Sequence, residues 1–363
     1  MRVLIVTDAW RPQVNGVVRT YEHLERAAAA IGDEIVFLTP NDYNTVPCPT
    51  YPEIRLAVPG FKRTRQRIDE LRADAIHIAT EGPVGWMARA VCRQRGLPFT
   101  TSFHTRFPEY LKARFGLPLA WTYWFQRHFH NAAAGTMVAT ASLAGELRSR
   151  GFRRIEAWTR GVDTELFRPR PVRNFGSDPV FLYVGRVALE KNIEAFLSLD
   201  LAGRKVVVGD GPQLAQLKAR FPDVIFTGAL CGEALAESYA SADVFVFPSK
   251  TDTFGIVLLE AMASGLPVAA YPVTGPLDVI EPGRTGVLHQ DLATAAHAAL
   301  ALDREAIRDA AIDFSWSTTY EQFVGNILEA RRRVGASVPR TAALAKKRKI
   351  GRRARAPGTA RPL

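Results

Sequence analysis

Two carboxylates eight residues apart, Asp252 and Glu260, flank the run Thr-Phe-Gly-Ile-Val-Leu-Leu. A strand pattern, Val244-Phe-Val-Phe247, comes before them and closes at Pro248-Ser249; a helical pattern, Leu258 to Ser264, follows and ends at Gly265-Leu-Pro267. At such a strand-turn-helix junction the backbone N–H groups face outward and favour an anion such as phosphate. One carboxylate before the turn and another about a turn into the helix would hold hydroxyl groups on either side of that anion. Ribose hydroxyls, a diphosphate and sugar hydroxyls have this layout. The same pair also reads as an acid near a helix N-terminus followed by a solvated helix Glu, and the segment alone leaves the two readings level.

Other residues with chemical capacity stand at the ends of strand patterns. His104 directly follows Phe99-Thr-Thr-Ser-Phe103, where a side chain points toward a ligand cleft, whereas His77 lies inside a strand pattern and reads as structural. Gly185, Arg186 and Lys191 follow Val180-Phe-Leu-Tyr-Val184. Two fixed cations there would stabilise the charge developing on a departing diphosphate; an exposed basic pair is the alternative. Gly209-Asp-Gly211-Pro212 makes a tight turn after the next strand, and Asn15-Gly16 lets backbone approach a ligand ahead of a helix. The fingerprint Gly-x-Gly-x-x-Gly is absent, which argues against a dinucleotide oxidoreductase. No Asp-x-Asp pattern occurs and the Cys and His residues are scattered, so neither a metal nor an organic cofactor is expected. Arg186 and Lys191 would take the charge-neutralising part of a divalent ion.

The elements that must position these residues alternate. In the first half, strands are expected at 2–7, 34–38, 75–79, 99–103 and 136–140, and helices at 17–31, 85–95, 117–131 and 142–150. The second series has strands at 180–184, 205–208, 224–226, 244–247 and 268–270 with helices between them. The strand runs are continuously apolar, as in parallel sheets buried on both faces. The expected fold is therefore α/β, with two facing Rossmann-like, doubly wound domains and ligands in the cleft beyond their strand C-termini. The boundaries are 1–168 for the first domain, 169–178 for a Pro-rich linker and 179–315 for the second domain; a helix at 316–333 returns to the first domain, and 334–363 form a basic, disordered tail.

The net charge of +11 comes from the tail: residues 331–363 carry twelve Lys or Arg and no acid, leaving 35 basic and 36 acidic residues in the rest. An anionic membrane, nucleic acid and mere solubility all fit such a tail, but the near-neutral body argues against nucleic acid. Three dispersed cysteines, the short apolar run at the N-terminus and the lack of any long uncharged stretch fit a reduced, cytoplasmic chain with no signal peptide or transmembrane helix.

Together these motifs resemble the retaining GT-B glycosyltransferases of family 4, the group 1 glycosyltransferases, from Met1 to about Arg333. Asp252 to Glu260 looks like the family's acid-x7-acid element, with Asp in place of the usual Glu. Val184-Gly-Arg186 to Lys191 is similar to its diphosphate-binding pair, Pro12 to Gly16 to its N-terminal Gly loop, and His104 to its cleft histidine. The resemblance implies that Glu260 holds the donor ribose. It places Asp252, Thr253 and the Phe254, Gly255 and Ile256 backbone at the donor sugar, Arg186 and Lys191 on the diphosphate with Gly16, Gly185, Gly209 and Gly211 close by, and Thr227-Gly228 near the nucleobase. His104 would contact the transferred sugar or the acceptor. His104, Arg186, Lys191 and Asp252 would carry catalysis, with retained anomeric configuration and the leaving phosphate assisting deprotonation of the acceptor. Trp158-Thr-Arg-Gly-Val-Asp163 and Ser249-Lys-Thr-Asp-Thr-Phe-Gly255 look like the branch of sulfoquinovosyl-, glucosyl-, glucuronosyl- and mannosyltransferases acting on diacylglycerol-type lipids. The implied donor is a nucleotide-diphosphate sugar, UDP-linked, and the implied acceptor a lipid, on the inner face of a membrane. The alternatives are a GDP-mannose-dependent mannosyltransferase on a glycan or phosphoinositide lipid, and a nucleotide-sugar epimerase. Trp121-Thr-Tyr-Trp-Phe125 reads either as helix core or as a surface for a lipid acceptor.

Overall fold

The computed structural model describes residues 1–13, 15–48, 51–252 and 254–336; of residues 51–54 and 113–115 the backbone alone is described. The first series runs β1 (Arg2–Val6), α1 (Gly16–Ala29), β2 (Glu34–Leu38), β3 (Thr45–Cys48), β4 (Tyr51–Ala57), α2 (Phe61–Leu71), β5 (Ala75–Ile78), α3 (Pro83–Gln94), β6 (Phe99–Phe103), α4 (Phe107–Phe115), α5 (Leu119–His130), β7 (Gly135–Val138), α6 (Ala141–Ser149) and β8 (Ile155–Ala157). The second runs β9 (Val180–Val184), α7 (Ile193–Leu197), β10 (Arg204–Val208), α8 (Leu214–Arg220), β11 (Ile225–Gly228), α9 (Gly232–Ala240), β12 (Val244–Phe247), α10 (Ile256–Ala263), β13 (Val268–Ala270), α11 (Pro276–Val279), β14 (Gly286–Leu288), α12 (Leu292–Ala299), α13 (Arg304–Ile312) and α14 (Trp316–Arg333). One compact unit comprises Met1–Ser102, Phe129–Thr136 and the described residues from Phe323 on; the other comprises Phe103–His128 and Met137–Gln322.

The second series forms one six-stranded parallel sheet in the order β11-β10-β9-β12-β13-β14. Counted from β9 as its first strand, this is the order of a doubly wound nucleotide-binding sheet, and it reverses between β9 and β12. Ligands of such sheets bind beyond the strand C-termini at that reversal. The apolar runs follow from burial on both faces. Val180, Leu182, Val184, Val206, Val208, Phe245 and Phe247 fill one core layer, while Phe181, Tyr183, Val207, Val244 and Val246 fill the other.

The first series forms a sheet in the order β2-β1-β5-β6-β7-β8, parallel at β1–β2, β1–β5 and β5–β6. Its reversal lies between β1 and β5, where Asp8 meets the residues after β5. The Asp8 carboxylate accepts the Val84 N–H at 2.8 Å, the Gly85 N–H at 3.2 Å and the Thr80 hydroxyl at 2.9 Å, capping the first turn of α3. Burial nevertheless dominates and pushes the Asp8 carboxyl up to about 6. His77 is buried between the hydroxyls of Tyr21, Ser102 and Thr100 at 2.8–3.0 Å, which bears out its structural reading.

Several elements escape the sequence pattern, α4 and α11 to α13 among them. The hairpin β3–β4 is short and carries Pro47 and Pro52, β8 and β14 have three residues each, and α2 is mostly polar. The helix expected at 117–131 is α5, and a further helix that the pattern did not show, α4, precedes it, set off by Gly116 (φ 68°) and Pro118. The core reading of the aromatic stretch is corrected too. Trp121, Trp124 and Phe125 are 76%, 59% and 48% exposed, because α5 turns Tyr123 and Gln126 inward and leaves the intervening aromatics on its outer face. No helix among the described residues is long and apolar enough to cross a membrane.

Candidate active site

The loops after β9 and β12 meet at the sheet reversal. After Val184 the chain turns through Gly185 and Arg186, makes a single tight helical turn at Leu189–Lys191, and places Asn192 in a left-handed conformation (φ 52°). The Asn192 amide donates to the Pro248 carbonyl at 3.0 Å, and the Thr251 hydroxyl to the Glu190 carbonyl at 3.1 Å. These two bonds clamp the loop after β12 onto the turn after β9. Lys191 Nζ consequently lies 2.5 Å from Asp252 Oδ1, with both side chains largely buried. Burial alone would lower the lysine's pKa, but the Asp252 charge and the nearby Tyr110 and Tyr183 outweigh it and raise it. Lys191 is thus a fixed cation. The phenols of Tyr110 and Tyr183 are themselves held neutral, chiefly by burial. Tyr183 donates to the Arg186 carbonyl at 2.9 Å, and Tyr110, from α4, shares a hydrogen bond with the Thr251 side chain.

Asp252 Oδ2 and Ser249 Oγ in the same loop are buried and make no hydrogen bond within the described protein. A buried polar oxygen without a partner is costly. Both have the chemistry to bond a substrate hydroxyl beside a cation suited to phosphate.

Eight residues on, Glu260 departs from one of its two sequence readings. It is 4% exposed rather than solvated, it sits among the buried Leu258, Leu259, Ala261 and Met262, and its Oε2 accepts the Tyr239 hydroxyl at 2.8 Å. Tyr239 belongs to α9, so the α9 helix fixes the carboxylate's orientation. The turn into α10 depends on Gly255 (φ 83°), where a Cβ would lie 3.2 Å from Leu258 and Phe247. Ile256 opens the helix, and the Phe254 side chain is core. Thr253 lies outside the described residues, as do tail residues 337–363.

The remaining strand ends pack backbone against backbone. A Cβ at Gly209 would sit 1.8 Å from the Gly185 carbonyl oxygen, and one at Gly211 would sit 2.4 Å from that of Val187, so the loops after β9 and β10 close up only with glycine there. The Gly209 N–H donates to Gly228 at 2.9 Å, and the Thr227 hydroxyl is spent on the same carbonyl at 2.9 Å. His104 is half-buried just past β6 and accepts Arg160 Nη2 at Nδ1, 3.2 Å away. An arginine cannot accept, so the neutral ring carries its proton on Nε2. Arg160 is itself fixed by the Trp158 and Thr159 carbonyls at 2.7 and 3.1 Å and stacks 4.2 Å from the Trp158 ring. Gly16, in the other unit, opens α1; a Cβ there would meet nothing within 4 Å, so packing does not require glycine. Asn15 caps that helix by accepting the N–H groups of Val17 and Val18.

Sequence reasoning missed Tyr110, Tyr183, Tyr239, Thr251, Asn192 and Arg160. None stands at a spacing that signals a site. Arg160 and Thr251 lay inside the two segments singled out for their resemblance, Trp158 to Asp163 and Ser249 to Gly255, and the first of these is mainly structural: Trp158 is fully buried and donates to the Thr319 carbonyl at 3.2 Å.

Residues 14–166 match the profile of glycosyltransferase family 4, and residues 178–304 that of the glycosyl transferases group 1. A GDP-mannose-dependent alpha-mannosyltransferase of Mycobacterium tuberculosis is 33% identical over 92% of this chain and 98% of its own. The sulfoquinovosyl transferase SQD2 of Arabidopsis thaliana is 32% identical over 76% of this chain and 61% of its own. An alpha-monoglucosyldiacylglycerol synthase of Streptococcus pneumoniae is 25% identical over 75% of this chain and 71% of its own. In structure, sucrose-phosphate synthase of Thermosynechococcus elongatus aligns with a TM-score of 0.73 at 21% identity, covering 93% of this chain and 100% of that one. The class this defines is the GT-B enzymes, with two Rossmann-like halves built on parallel sheets. The chain belongs to the family 4 glycosyltransferases, the glycosyl transferases group 1.

Proposed function

We propose that this glycosyltransferase moves a hexose or hexuronic acid from a nucleotide-diphosphate sugar to a lipid acceptor of the diacylglycerol type, with retained configuration and without a metal. The carrying observation is the Lys191–Asp252 pair at the sheet reversal, with the unpartnered Asp252 Oδ2 beside a fixed cation. In this reading Lys191 and Arg186 neutralise the diphosphate as it leaves, Asp252 orients the sugar hydroxyls, and the buried Glu260 holds the ribose. Gly16, Gly185, Gly209 and Gly211 let backbone near the phosphates, the Phe254–Ile256 backbone lies along the sugar and Thr227-Gly228 along the base. His104, with its proton on Nε2, donates to the transferred sugar or the acceptor, and the leaving phosphate takes the acceptor's proton. The domain limits are put forward as read above: 1–168 for the acceptor, 179–315 for the donor, with the 316–333 helix returning to the first. The chain would work at the cytoplasmic face of a membrane, with the basic tail adding affinity for anionic lipid.

The acceptor class draws support from the diacylglycerol synthase relative. A second reading, transfer of mannose from GDP-mannose, draws support from the mannosyltransferase that matches 92% of the chain. UDP-glucose, UDP-glucuronate, UDP-galactose and GDP-mannose, each offered with a lipid extract, separate the readings. A labelled glycolipid from one UDP-sugar supports the first and from GDP-mannose the second; turnover confined to water-soluble acceptors overturns the lipid assignment.

A further inference from the structure

We propose that the outer face of α5 seats this chain on an anionic lipid bilayer. Trp121, Trp124 and Phe125 are exposed and lie on one stripe of α5, with His128 stacked on Trp124 at 5.9 Å and the exposed Leu117 just ahead of the helix. Single exposed apolar residues are ordinary, but two tryptophans and a phenylalanine within five positions form a patch that calls for a cover.

Charge selects the cover. Between Glu109 and Glu146 the chain has no acidic residue, while Lys112, Arg114 and Arg127 fall in that span. Arg127 donates to the Arg150 carbonyl at 2.9 Å, which brings the turn carrying the exposed Arg153 and Arg154 alongside. The two flanking acids are turned inward. Tyr123, on the buried side of α5, donates to Glu109 at 2.7 Å, while Glu146 is held by Arg106 at 2.7 Å and by Arg150 at 3.1 Å. These bonds lock α5 onto α4 and α6 with its aromatic face outward. Tryptophan with flanking arginine on a helix lying flat suits the headgroup region of an anionic bilayer, where the indole ring is half apolar and half wet. A second copy of the chain suits it less: an isologous contact would set the cations around α5, Lys112 and Arg127 among them, against their own copies.

The inference deepens the lipid-acceptor reading and rests on it for its purpose, but its test does not need an acceptor. The full chain is sedimented with vesicles of phosphatidylcholine containing about one-third phosphatidylglycerol, and with phosphatidylcholine alone. Wild type is expected to bind the anionic vesicles, and W121S/W124S to partition at least about tenfold more weakly. That variant is expected to keep its melting temperature and its turnover of donor in detergent. Equal partitioning of wild type and variant overturns the proposal and leaves the tail as the membrane contact. A dimer in sedimentation velocity that W121S/W124S dissolves also overturns it. Should the variant misfold, brominated lipid keeps the question open to test on wild type: quenching of tryptophan emission on anionic vesicles supports the seat, and unquenched emission overturns it. A variant that loses vesicle binding yet still glycosylates lipid in detergent separates this inference from the acceptor assignment.

Discussion

Replacing Asp252 by Asn isolates the pair at the heart of the site. The carboxylate is 2.5 Å from Lys191 Nζ, with side-chain exposures of 17% and 23%. Its charge does two things with opposite sign for a ligand: it holds the lysine in place, and it repels a diphosphate approaching that lysine. At a separation of about 8 Å and an effective dielectric of about 20, the repulsion is worth ~2 kcal/mol per unit charge before screening. Asp252→Asn should therefore tighten the binding of a nucleoside diphosphate by about tenfold. The intact sugar nucleotide should lose the hydroxyl contact to Oδ2, and transfer should fall by about tenfold to a hundredfold, as for a hydrogen bond to a charged acceptor. The stranded lysine costs stability, about 2 kcal/mol for a pair that keeps some solvent contact, where a fully buried pair would cost 3–5. Lys191→Met with Asp252→Asn should recover much of that loss and bind diphosphate more weakly than Asp252→Asn alone. Calorimetry with UDP and GDP, together with turnover of the preferred donor, reads all of this. A diphosphate bound more weakly by Asp252→Asn, or transfer at the wild-type rate, would refute the placement of Lys191 at the phosphates and Asp252 at the sugar.

Other expectations follow from the same contacts. Arg160→Met releases the His104 ring and should lower kcat by about tenfold with donor affinity unchanged, as measured by the split between kcat and KM; a pure KM effect would assign His104 to binding. Tyr239→Phe removes the hydroxyl bonded to Glu260 and should weaken donor binding by about fivefold, measured by titration. The Asp8 carboxyl is raised to about 6 from 3.8, so it favours folding while protonated; that contribution, at most about 3 kcal/mol, is fully present below about pH 4 and is lost as pH rises through 6. Urea unfolding at pH 4.5 and 6.5 should show this slope in wild type and not in Asp8→Asn, and identical slopes would count against it.

Much of the scaffold was legible because parallel strands buried on both faces leave continuous apolar runs, as in Val180–Val184 and Val244–Phe247. Asp252 and Lys191 were found separately, each at a strand end, but their pairing was not, since it depends on Asn192 and Thr251 clamping one loop on another. Glu260 looked the same in sequence whether solvated or buried; the difference lies in Tyr239, on another helix. The aromatic stretch of helix α5 was open between two readings for a related reason. Aromatic residues occupy both its faces, so spacing alone cannot say whether Tyr123 or Trp124 is the buried one.

The central claim, that the reversal between β9 and β12 is a sugar-nucleotide site with Glu260 on its ribose, is tested most directly by titrating the donor that supports turnover into wild type and into Glu260→Ala. At least about tenfold weaker binding in a variant with an unchanged fold is predicted. Equal affinity would contradict the assignment and make the buried carboxylate a structural partner of Tyr239.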